Sequence, residues 1–141
     1  MLKLRLVRVV GLVMVLGVIA AASASAWPTL HRTSYVTFSG RFALPGVALP
    51  AGTYIFELAA PELRTDVVRV MSGDRSQVYL TAFTRTVARP AGLRPDRQIV
   101  FHEAPSATTQ PVRTWYPMGA AVGHEFIYAA DDRQLGIRAT D

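Results

Sequence analysis

Val36-Thr37-Phe38-Ser39-Gly40-Arg41-Phe42 alternates apolar or small residues with threonine, serine and arginine. Successive side chains of an extended backbone point to opposite faces, so this order makes a strand with one dry side and one wet side. The period of two recurs along the chain. Tyr54, Phe56 and Leu58 alternate with Thr53, Ile55 and Glu57, and Val68 and Val70 flank Arg69. Residues 77–87 are rich in β-branched and aromatic side chains, and 99–103, 113–116 and 124–128 supply three further strand candidates. No stretch beyond residue 26 sustains the 3.6-residue period of a helix. The alternation predicts an all-β domain over 34–128, a single antiparallel β-sandwich of about seven strands. Its core is expected to draw on Val36, Phe38, Phe42, Tyr54, Phe56, Val68, Val70, Leu80, Phe101, Trp115 and Phe126.

The connections carry turn chemistry. Ser72-Gly73-Asp74-Arg75 reads as a turn. Ala43-Leu44-Pro45-Gly46 and Ala48-Leu49-Pro50-Ala51-Gly52 repeat a short Ala-Leu-Pro unit. Leu49-Pro50-Ala51-Gly52 fits a type I turn, with proline second and glycine fourth, and predicts a hairpin joint leading into the strand at Thr53. Residues 89–97 form a proline-marked loop, 104–112 a second, polar and mobile one, and 129–141 a tail poorly ordered beyond about Arg133.

The front of the chain differs from the rest. Residues 1–26 hold 19 hydrophobic residues, the bases Lys3, Arg5 and Arg8, and no acid. The uncharged run from Val9 to Ala22, 14 residues long, falls short of the roughly 20 needed to span a bilayer. It leads into Ala22-Ser23-Ala24-Ser25-Ala26, a pair of overlapping A-x-A cleavage patterns. Residues 1–26 therefore read as a helical signal peptide cleaved after Ala26, with Ala24 as the second choice and 27–33 as a lead-in. An exported protein, periplasmic or extracellular, follows. Membrane contact would come only through an uncleaved signal segment.

Removing the leader lowers the formal charge from +5 to +2, since 12 arginines then face 10 acids. So small an excess gives no reason to expect a nucleic-acid partner. The chain has no cysteine, which excludes disulfides, thiol catalysis, Cys-ligated zinc and lipid attachment through a thiol. No lysine follows Lys3, so the exported part has no Schiff-base or P-loop lysine. The serines sit in no G-x-S-x-G elbow. No cofactor is expected.

Three groups of residues remain as candidates. His102-Glu103 and His124-Glu125 are His-Glu pairs, but strand neighbours point to opposite faces, so neither pair converges on a metal by itself. A metal or hydrolytic site would need the pairs to meet across strands, and satisfied strand-end residues are the simpler reading. Trp115 and Tyr116, before Pro117 and a loop bounded by Gly119 and Gly123, offer aromatic faces to a sugar or a partner, unless Trp115 is a core residue. Arg85, Arg89, Arg94 and Arg97 cluster against the one acid Asp96 and suit the phosphates or carboxylates of an envelope polymer, unless they are a solvated loop.

Pro45-Gly46, Leu49-Pro50-Ala51-Gly52-Thr53-Tyr54, Phe101-His102-Glu103-Ala104-Pro105, Trp115-Tyr116-Pro117 and Gly123-His124-Glu125-Phe126-Ile127-Tyr128 occur in that order. The set resembles a group of small exported bacterial β-proteins of unknown function, with an LPAGTY-like turn, a W-[FY]-P element and a C-terminal G-x-E-F-x-Y element. The resemblance spans about 34–128 and implies an exported β-sandwich with no catalytic residues. In that group glycine commonly follows W-[FY]-P, whereas Met118 intervenes here before Gly119. The sequence as a whole reads as an exported non-catalytic binding or structural module of the cell envelope. The alternatives are recognition of a glycan or envelope polymer, or of another envelope protein, and a small hydrolase built on a His/Glu site.

Overall fold

The computed structural model describes residues 33–103, 108–130 and 132. The expected signal peptide with its expected cleavage after Ala26, the lead-in up to residue 32, the first four residues of the expected 104–112 loop and the tail from 133 lie outside the described residues.

The described residues are all-β, with nine strands among them: β1 (Thr33–Phe38), β2 (Phe42–Leu44), β3 (Val47–Leu49), β4 (Gly52–Ala60), β5 (Arg64–Ser72), β6 (Val78–Ala88), β7 (Ile99–Phe101), β8 (Gln110–Trp115) and β9 (Val122–Phe126). They hydrogen-bond in the order β1-β4-β5-β6-β9-β8-β2-β3, with β7 attached to β8. All pairings are antiparallel except the short parallel contact of β2 with β8, where Phe42 and Ala43 face Gln110 and Pro111.

This one sheet folds over on itself. Phe56 of β4 meets Trp115 of β8 at 5.9 Å between ring centres and Phe126 of β9 at 6.4 Å, though several strands separate them in the ladder. Phe38 of β1 stacks on Phe42 of β2 at 3.6 Å, joining the first strand of the sheet to its far side. The bend is carried by β6. Its first half pairs with β5 (Leu80 opposite Val70) and its second half with β9 (Thr86 opposite His124), so one long strand serves both halves. The two halves then close face to face over a core as a sandwich does.

The expected core residues are there. Val36, Phe38, Phe42, Tyr54, Phe56, Val68, Val70, Trp115 and Phe126 are buried together, and Leu80 and Phe101 pack at the margin. Two features depart from strict alternation. The first strand stops at Phe38, and a bend at Ser39-Gly40 hands Phe42 to β2. The expected hairpin joint also moves. β3 and β4, which flank Pro50-Ala51, do not pair, whereas β2 and β3 pair across Pro45-Gly46, with Leu44 opposite Val47. Gly46 has φ +73°, the left-handed value that the second central position of a proline-led type II turn requires. The Ala-Leu-Pro repeat thus forms two additional strands.

Ile55 is fully buried although it points away from Tyr54 and Phe56. The register sets Tyr35, Ile55 and Met71 side by side on the outer face. Glu57 lies beside them and reaches Arg75 at 3.1 Å and Arg69 at 3.6 Å, a charged cover over a small second cluster. At the far end the Tyr128 hydroxyl donates to the carbonyls of Val112 and Ala43, pinning the segment after β9 to β8 and β2. Asp132 accepts from the backbone N–H of Gly46 at 3.0 Å and ties the start of the tail to the same hairpin.

Candidate functional site

The aromatic pair at the end of β8 is buried. Trp115 is 0% and Tyr116 5% exposed. Trp115 sits between Phe56 and His124, whose ring centre is 5.3 Å away. Tyr116 lies flush on Gly123, where a Cβ would stand 2.3 Å from its Cδ1, and the Arg89 guanidinium covers its ring at 5.2 Å. Both aromatics are structural. The reading of Trp115 and Tyr116 as a stacking platform is corrected by their burial, and Trp115 takes the place of a central sandwich residue.

The His-Glu pairs divide as strand geometry requires. His124 is 3% exposed, inside the fold beside Trp115, with Nδ1 at 3.4 Å from the Thr84 hydroxyl. Glu125 points the other way and reaches Arg113 at 3.5 Å. His102 packs edge-on against Tyr128 at 5.5 Å, and Glu103 is exposed. Burial pushes both histidines below their ordinary pKa. For His102 the nearby Arg113 adds to that effect and Glu125 opposes it, and for His124 only Asp66 opposes it. The histidines thus answer to different carboxylates, and among the described residues no three His, Asp or Glu side chains gather as metal ligands would.

The four arginines serve three different ends. Arg85 is on β6, opposite Glu125 in the ladder. Arg89 is committed inward, because its guanidinium donates to the carbonyls of Arg94, Pro95 and Arg97 at 3.1–3.2 Å and so shapes the 90–98 loop. Arg94 and Arg97 are exposed on that loop, with Arg94 paired to Asp96 at 2.7 Å.

Arg94 and Arg97 border a cleft of about 830 Å³, within the range of about 300–1,000 Å³ typical of binding sites. One wall is β1 and the bend after it, from Tyr35 to Phe42. The other is the 92–98 loop with Ile99 and Phe101 of β7. Phe38, Phe42, Ile99 and Phe101 give the cleft an apolar floor. Arg41, Arg94 and Arg97 stand on it against the single carboxylate of Asp96. Gln98 also lines it, and its buried Oε1 meets no hydrogen-bond donor among the described residues. The sequence singled out Arg94 and Arg97. Arg41 and Gln98 passed as ordinary strand and loop residues, because the cleft forms only when chain segments far apart in sequence come together. No family model matches the chain, and the searches of curated proteins and of solved structures found no match either.

Proposed function

We propose that this protein is an exported, non-catalytic binding module of the cell envelope, and that the cleft between β1 and β7 is its seat for an anionic partner. Export rests on the basic start, the short apolar run and the A-x-A patterns of residues 1–26. The observation that carries the binding reading is the composition of the cleft, an apolar floor bordered by three arginines and one carboxylate that Arg94 already engages. Such a surface favours a negatively charged partner with some apolar character. Of the candidate acid–base groups, His102 and His124 are engaged in packing and Glu125 in an ion pair, which supports a non-catalytic role.

The test is co-sedimentation of the purified protein with isolated envelope material, for the native chain and for a variant with Arg41, Arg94 and Arg97 changed to Glu. The native chain should sediment and be released as salt rises, since added ions screen exposed charges. The variant should stay in solution. Equal behaviour of the two chains at every salt concentration would refute the assignment.

A further inference from the structure

The composition of the cleft suggests an anion, and its walls suggest which kind. Tyr35, Val36, Thr37 and Phe38 all line it, although they alternate between the two faces of β1. A cavity that touches both faces of a strand is looking at its edge. Among the described residues β1 pairs only with β4, and β7 only with β8, so each has one edge without a ladder partner there. No backbone hydrogen bond joins β1 to β7 among the described residues. The folded sheet is thus open along one seam, and the cleft fills that seam.

Resting on the binding reading above, we propose that the seam receives an extended acidic polypeptide segment of a partner protein, which adds as a strand to β1. Alternate residues of β1 turn their N–H and C=O groups away from β4, and these groups are regularly spaced for another backbone. The six residues of β1 offer a ladder about 20 Å long. A strand seated there directs every second side chain onto Phe38, Phe42, Ile99 and Phe101 and the others outward beside Arg94 and Arg97. The recognised segment therefore alternates apolar with acidic residues. A sugar polymer has no peptide N–H and C=O groups at this spacing, and Trp115 and Tyr116 are buried, which leaves Tyr35 as the exposed Trp or Tyr ring lining the cleft.

The test uses the purified chain and an array of eight-residue peptides alternating valine or isoleucine with glutamate, a lysine-for-glutamate array, and a polyuronate as the anionic glycan. Acidic peptides should bind and lysine ones should not. Bound peptide should slow hydrogen exchange at amides of β1. N-methylation of alternate peptide residues in one register removes about three donors to β1 and should weaken binding by at least roughly tenfold, and in the other register should leave it unchanged. No binding by any acidic peptide would overturn the inference, as would binding indifferent to N-methylation in both registers or self-association through β1 in place of peptide binding. Polyuronate binding that needs Arg94 and Arg97, without peptide binding, would overturn the strand inference and leave the anion-binding assignment standing. Failure of both probes, together with envelope sedimentation indifferent to the arginines, would refute both.

Discussion

Replacing Gly123 by alanine tests the packing that holds up one wall of the cleft. An added Cβ stands 2.3 and 2.4 Å from Cδ1 and Cε1 of Tyr116 and 3.0 Å from the Trp115 carbonyl oxygen. Ordinary contact begins near 3.4 Å, so the ring must retreat by about 1 Å. Its retreat is resisted. The Tyr116 N–H donates to the Gln98 carbonyl at 2.7 Å, and Arg89 lies over the ring while holding three carbonyls of the 90–98 loop. Overpacking of this kind costs about 1–3 kcal/mol. Against it, alanine in a strand regains roughly 0.5–1 kcal/mol over glycine. The net loss is about 1–2 kcal/mol, read as a fall of roughly 4–15 °C in the thermal midpoint of a domain this size. The assay is thermal unfolding of a double-mutant cycle with Tyr116→Ala. In that background the alanine at 123 should cost little, because the ring it collides with is gone. A neutral or stabilising Gly123→Ala, or the same cost with and without the tyrosine ring, would refute this reasoning.

Four further outcomes follow from other contacts of the fold. Tyr128→Phe removes a hydroxyl that donates to two carbonyls on different strands and should lower stability by about 1–2 kcal/mol, seen as a lower urea midpoint at unchanged slope. Stability should fall on acidification, because burial holds His102 and His124 below the ordinary 6.5. The unfolded chain then binds more protons than the native one. The contribution is complete above 6.5 and is lost as the pH drops towards the lowered native values, so the urea midpoint should decline between pH 7 and 5, and less steeply in His124→Gln. Arg94→Ala should change stability by less than about 0.5 kcal/mol, since its ion pair is exposed, whereas Arg89→Ala should speed amide exchange across the 90–98 loop.

The architecture was legible because alternation is a local signal. Val36, Phe38, Tyr54, Phe56, Val68 and Val70 face inward as a period of two requires, and His124 and Glu125 part to opposite faces for the same reason. The bend at Ser39-Gly40 was hidden because Gly40 and Phe42 keep the period while the chain changes strand. β2 and β3 are three residues each, too short for a pattern to register. Tyr116 is buried beside a buried Trp115 because β8 ends at Trp115, and beyond a strand end neighbours are free to turn inward together. Its signal was Gly123, a residue without a side chain where a ring needs room. The cleft was illegible for a different reason. Arg41 and Gln98 belong to separate segments, and only the folding of the sheet brings them to one seam.

The open seam between β1 and β7 is the central claim, and residue-resolved amide hydrogen exchange of the free protein tests it most directly. Every second amide of β1 should be protected by its bond to β4 and the ones between should exchange rapidly, while Tyr54–Glu57 of β4 and Val68–Met71 of β5, paired on both sides, are protected throughout. Uniform protection along β1 would mean that its outer edge is already paired, and the seam would not be open to an added strand.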